Sequence, residues 1–344
     1  MIRLRKYWPI GLLFIICQLL FSSARAQTIS SPDGKIQVTL DLQDGKPCYS
    51  VLYEGQAMLN RSALGVVTNI GDYTQGLTLK EGFGSMPVSE TYTLRNIKQR
   101  QVSYQANEGV ATYLQNNQPV MDIIFRVSNR DVAFRYKIYS KRDTRVCVVQ
   151  SEASGFVMPE GTTTFLCPQS KPMGGFARTS PSYETSYTLD DAMGKNGWGE
   201  GYTFPCLFKT PSGWVLISET GTDGSYVGCR LLNDGGANYR IGFPQPGELN
   251  GVGSVTPAMS LPGETPWRTI TVGPLANIVE TTVPSTSCSP STRPRRNIST
   301  AEVRGVGSSA WITVVTSMSR SVISTSQPPW VTRVYSSMPS GTSR

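Results

Sequence analysis

Glu184 stands between Tyr183 and Tyr187 in the segment SYETSY (182–187), and the loop GKNGWGEGY (194–202) sets Trp198 and Glu200 among glycines. These residue types meet sugars and hard cations. A carboxylate accepts hydroxyl hydrogen bonds or ligates calcium, which takes roughly six to eight oxygens. Aromatic faces pack on the CH groups of a pyranose ring. From the residues alone, Glu184 reads as a solvated loop carboxylate. The two tyrosines either stack on a sugar or pack the loop, and Trp198 is either a sugar platform or a domain-interface residue.

The rest of the inventory excludes more than it offers. The 344 residues contain no histidine. Ser-His-Asp and Cys-His nucleophiles are therefore ruled out within the chain, as are ordinary His-containing zinc sites. Beyond the first 26 residues and before the last 60, the cysteines are Cys48, Cys147, Cys167, Cys206 and Cys229. No two have CxxC spacing, so a metal knuckle or redox motif has no support. Buried free thiols are at least as good a reading as a disulfide.

Residues 1–26 read as a signal peptide. Arg3, Arg5 and Lys6 precede the apolar stretch Ile10 to Phe21, and Ala24-Arg25-Ala26 offers small residues for cleavage. The apolar run falls short of the roughly 20 residues a spanning helix needs. An exported protein, periplasmic or extracellular and without a membrane anchor after cleavage, is the expectation. The net charge of +8 lies in this signal and in residues 285–344, which hold seven arginines against one acid, Glu302. The stretch between is near neutral, which removes the case for a nucleic-acid partner.

The elements that must position the loops are strands. KIQVTLDL (35–42) puts Ile36, Val38, Leu40 and Leu42 on one face; Asp44-Gly45 is a hairpin signal, and Cys48–Tyr53 returns. Gln101–Leu114 and Met121–Tyr139 repeat the alternation, most clearly in VAFRYKIY (132–139). Val215–Ser218 and Tyr239–Phe243 are shorter candidates, and a strand at Trp267–Val272 precedes a short helix at Leu275–Val283. So many antiparallel strands predict an all-β fold, a large sandwich with each sheet burying one face.

At about residue 285 the character changes. The last 60 residues are rich in Ser and Thr and contain no Leu, Lys, Asp or Phe. Two readings stand: an unstructured Ser/Thr/Pro-rich tail, or a shifted reading frame.

Three segments carry a family resemblance: SPDGKIQVTLDLQDGKPCYSVLYEG (31–55); SYETSY (182–187) followed by YTFPCLFKTPSGWVLISETGTDGSY (202–226); and TPWRTITVG (265–273). In order and spacing they resemble the N-terminal region of glycoside hydrolase family 97, over about residues 28–283. The resemblance implies an antiparallel β-supersandwich of the galactose-mutarotase-like kind at 27–284. It implies a calcium-dependent exo-acting α-glucosidase or α-galactosidase whose acid and base are carboxylates on a (β/α)8 barrel, as glycoside hydrolysis requires. That catalytic barrel has no counterpart in residues 285–344, which offer no carboxylate pair. Glu184 matches the glutamate the family's sandwich lends to the active-site calcium. Tyr183, Tyr187, Trp198 and Glu200 become candidate contacts to an α-glucoside or α-galactoside oligosaccharide. Glu219 reads as structural, and Trp267 and Arg268 as fixing the last strand.

The expected function is thus a carbohydrate-binding, non-catalytic domain of a family 97 glycosidase. A free-standing secreted sugar-binding sandwich is the alternative. A mutarotase-type enzyme is weakest, because such enzymes pair histidine with glutamate.

Overall fold

The computed structural model describes residues 26–94, 99–169, 186–194 and 201–283, all within one compact unit. Antiparallel strands dominate, as the alternation requires. β1 (Gln27–Ser30), β2 (Ile36–Gln43), β3 (Lys46–Tyr53) and β4 (Gln56–Ala63) pair in succession as a meander. The β2–β3 turn places Asp44 at φ 51° and Gly45 at φ 73°, the left-handed pair that suits a twisted two-residue hairpin. Ile36, Val38 and Leu40 are wholly buried, and Leu42 packs at their margin.

Short β5 (Val66–Thr68), β6 (Gly71–Asp72) and β7 (Thr78–Leu79) lead to the long strands β8 (Ser85–Thr93), β9 (Gln101–Gln115), β10 (Gln118–Ser128) and β11 (Asp131–Ile138). Then come β12 (Val146–Glu152), β13 (Gly155–Val157), β14 (Thr163–Pro168), β15 (Asp191–Ala192), β16 (Tyr202–Thr210) and β17 (Gly213–Thr220). β18 (Arg230–Asn233), β19 (Asn238–Gly242), β20 (Ala258–Ser260), β21 (Gly263–Glu264) and β22 (Trp267–Gly273) complete the set. Among the described residues, eighteen strands join one hydrogen-bonded sheet; β5, β6, β12 and β20 form a smaller one. The helix α1 is Leu275–Glu280, shorter than the sequence suggests.

Neighbouring pairs fix the layer that matters for function: β8–β9–β10–β11–β22–β17–β16–β14. Its inner face is apolar by strict alternation. Met121, Ile123, Phe125 and Val127 on β10, and Val132, Phe134, Tyr136 and Ile138 on β11, are all fully buried. The meander closes onto it: the Tyr49 ring lies 5.7 Å from Phe125 and 5.4 Å from Phe134, and its hydroxyl donates to the Gly155 carbonyl at 2.9 Å. Each such side chain stabilises by about 1.5–3 kcal/mol when fully buried. This is the sandwich core, and the all-β, mutarotase-like supersandwich is the fold observed.

The run Met121–Tyr139 is not one strand. It breaks at Ser128–Asp131 because the Ser128 hydroxyl accepts the Arg130 and Asp131 amides, at 3.4 and 3.0 Å. All five cysteines named above are free, four of them buried. No described helix is long and apolar enough to cross a membrane.

Candidate functional site

The segments singled out in the sequence leave the sheet from one place. β14 ends with Pro168 paired to Tyr202, the first residue of β16. Just beyond, the Gln169 amide donates to the Gly201 carbonyl at 2.9 Å. Gln169, which precedes segment 170–185, and Gly201, which follows segment 195–200, therefore lie side by side at one end of the sheet. Glycines make the approach possible. Gly201 has φ 106°, and a Cβ there would fall 2.5 Å from the Leu231 carbonyl oxygen; Gly194 has φ 79° and sits against the Gly236 backbone. Tyr183, Glu184, Trp198 and Glu200 themselves lie outside the described residues.

Tyr187 is described. It is half-buried, and its hydroxyl contacts the Cys167 thiol; burial and that thiol push its phenol up to about 12. Thr188 beside it closes a local ladder, its amide donating to the Leu166 carbonyl at 2.8 Å and its hydroxyl accepting the Leu166 amide at 2.7 Å. At the same root, Gln169 Oε1 and Thr203 Oγ1 are buried without a hydrogen-bond partner among the described residues. Such atoms are rare in native structures and call for a reason.

Beneath this end of the sheet lies a buried ionic network. Arg268, wholly buried, donates Nε to Glu152 Oε2 at 3.1 Å and Nη2 to Glu152 Oε1 at 2.5 Å. Its Nη1 donates to Glu219 Oε2 at 2.5 Å. The second Glu219 oxygen accepts the Cys229 amide at 2.8 Å. Glu152 also takes the Tyr226 hydroxyl at 2.6 Å and the Ser154 hydroxyl at 2.9 Å. Burial alone would lower the Arg268 pKa, but Cys229 and the two glutamates outweigh it and raise it well above its ordinary value. Glu219 and Arg268 are thus structural. Glu152 escaped sequence reasoning, since its partner is 116 residues away and nothing local marks it. On the opposite face of β22, Trp267 lies 4.3 Å from the Arg135 guanidinium and 5.2 Å from that of Arg126.

Among the described residues no three His, Cys, Asp or Glu side chains cluster as a metal would need. The Gln169 and Thr203 oxygens, without a hydrogen-bond partner among the described residues, are neutral hard donors.

Three comparisons bear on this arrangement. A family model described as the glycosyl-hydrolase 97 N-terminal region matches residues 29–290. A curated relative, a "probable retaining alpha-galactosidase" of Streptomyces bingchenggensis, is 29% identical over 254 residues, 74% of this chain and 36% of that protein. The crystal structure of a β-arabinopyranosidase is 47% identical with a TM-score of 0.71, covering 75% of this chain and 42% of that one. A family 97 enzyme from Pseudoalteromonas sp. strain K8, solved with panose, shares the fold at 20% identity and a TM-score of 0.62, covering 75% of this chain and 37% of its own. The chain thus spans well under half the length of each of these relatives. With a family model matched across nearly the whole sandwich, the chain belongs to the glycosyl-hydrolase 97 N-terminal family.

Proposed function

We propose that residues 29–290 are the non-catalytic sandwich of an exported exo-acting glycosidase, presenting the Glu184 loop to an active site whose acid and base are carried by another part of the enzyme. The observation that carries this reading is the family match across the sandwich of a chain that spans only 36–42% of its first-named relatives. The buried acids agree with it. Glu152 and Glu219 are saturated by Arg268 and its neighbours. Asp122 is held by Thr112 at 2.7 Å and Tyr139 at 2.6 Å. Glycoside hydrolysis needs one carboxyl free to protonate the leaving oxygen and a second free to attack or activate water. In this role Glu184 contributes one calcium oxygen, while Tyr183, Tyr187, Trp198 and Glu200 line the sugar.

The substrate reading narrows to galacto-configured pyranosides. The two relatives of highest identity named above are an α-galactosidase and a β-arabinopyranosidase. A β-L-arabinopyranoside has the ring configuration of an α-D-galactopyranoside and lacks only its C6 hydroxymethyl group. One site shape therefore serves both names.

The test is an assay of the purified chain, with and without calcium, on aryl α-D-galactopyranoside, α-D-glucopyranoside and β-L-arabinopyranoside. No turnover is expected. Calcium-dependent hydrolysis in a preparation free of host glycosidase overturns the proposal. Barrel sequence in another frame downstream of codon 284 is the expected finding in the gene; an in-frame Ser/Thr-rich end with no barrel favours a free-standing module.

A further inference from the structure

Far from Pro168 and Tyr202, the register leaves a gap. β8 accompanies β9 along its whole length, from Ser85 opposite Gly109 to Thr93 opposite Gln101. β10 leaves β9 earlier, its last pair being Ser128 with Ala106. Among the described residues, the β10 side of β9 therefore has no strand beside it from Val102 to Gln105. The last residue of α1 and those that follow it, Glu280–Val283, face this edge across a cavity of about 540 Å3. That lies within the range of about 300–1,000 Å3 typical of small-molecule sites.

The geometry points to this cavity as a second saccharide-binding site. Its walls carry Gln99, Ser103, Tyr104, Gln105, Asn129 and Thr282. Amides and hydroxyls both donate and accept, as sugar hydroxyls do, and the backbone of β9 along Val102–Gln105, beside which no described strand runs, adds groups of the same kind. The charges present are already committed. Arg130 pairs with Glu280 at 2.6 Å. Asp131 Oδ1 accepts the hydroxyls of Thr271 and Thr281, at 2.5 and 2.6 Å, and Oδ2 that of Ser128 at 3.3 Å. An anionic ligand finds one arginine facing two carboxylates. An apolar ligand finds little but Val102 and Val283. An extended peptide added to β9 would have only four residues of edge and no alternating apolar pockets. A neutral polyhydroxyl ligand fits best.

The site is distinct from the loop end. Asp131 pairs with Thr271 on β22, which pairs with Leu216 on β17, then Leu207 on β16, then Phe165 on β14. Four strand spacings, about 19 Å at about 4.8 Å each, separate the cavity from the strand that launches segment 170–185, and Pro168 lies further along β14.

The experiment is calorimetric titration of the full chain with α-1,6-galactobiose and, separately, maltotriose. Ser103→Trp fills the cavity, and the double variant Gln99→Ala/Gln105→Ala strips its amides; all three positions are exposed, so folding should survive, as thermal melts will confirm. Millimolar binding of at least one sugar by the native chain, weakened by roughly tenfold or more in both variants, supports the site. Absence of binding by the native chain overturns it, as does binding that both variants retain. Loss in Glu184→Gln with retention in Ser103→Trp places the sugar at the loop and overturns it equally.

Discussion

Arg268 and Glu152 meet through two parallel hydrogen bonds with both side chains shut off from solvent. The pair joins the last strand to the end of β12, and Glu219, Tyr226 and Ser154 complete its shell. Removing one partner leaves the other charge stranded in a low-dielectric interior. Arg268→Ala is expected to cost about 3–5 kcal/mol, and Glu152→Gln to destabilise in the same direction. Urea denaturation checks this against Lys35→Ala, whose exposed bridge to Glu54 should leave the midpoint unchanged. A loss below about 1 kcal/mol for Arg268→Ala, the level of a surface pair, would mean the network carries little.

Gly201 holds the strand entry that flanks segment 195–200. Gly201→Ala meets both a left-handed φ and the Leu231 carbonyl, so a destabilisation of about 1–3 kcal/mol is expected. Gly34→Ala, at φ 75° with nothing within 4 Å, should cost less, since it carries the backbone penalty alone. Equal thermal shifts for the two would show that the close approach to Leu231 is relieved cheaply.

Alkaline pH should loosen the fold. Burial pushes the phenols of Tyr187 and Tyr202 up to about 12, and burial with the Asp122 hydrogen bond does so for Tyr139. Unfolded tyrosine ionises near pH ~10. Between these values the unfolded chain has released its phenolic protons and the folded chain has kept them, so stability falls as pH rises. It is fully present below about pH 10 and drains through about pH 12. Ultraviolet titration of the phenolates, followed with a fold-sensitive signal, should show delayed ionisation that coincides with unfolding. Smooth ionisation centred near pH ~10 in a folded chain contradicts it.

Calcium should bind the isolated chain weakly. One loop carboxylate leaves most of the shell to water, and the described residues add no acidic cluster. Calorimetry is expected to show no one-to-one micromolar site; such a site would reveal ligands beyond Glu184.

The strands were legible wherever one face meets the core. KIQVTLDL and VAFRYKIY alternate because every second residue lies in the sandwich interior. β8 (SMPVSETYT) passed unnoticed because both of its faces stay largely exposed. The break in Met121–Tyr139 was hidden because a serine hydroxyl, not glycine or proline, makes the turn. Sites resist such reading for another reason. The described residues that flank the Glu184 and Trp198 segments meet through the bond between Gln169 and Gly201, and the cavity beside β9 lies where β10 stops at Ser128. Neither relation has a local signature.

The final strand also acts as its own proofreader. Trp267 and Arg268 are adjacent, yet one packs with Ile124 and Ala133 on the outside and the other enters the carboxylate socket within. A slip of one residue would exchange their faces. An indole would then occupy a socket built for a guanidinium, and Glu152 and Glu219 would lose their counter-charge together. Of the two alignments, only the observed one keeps the guanidinium in its socket and the indole against Ile124 and Ala133.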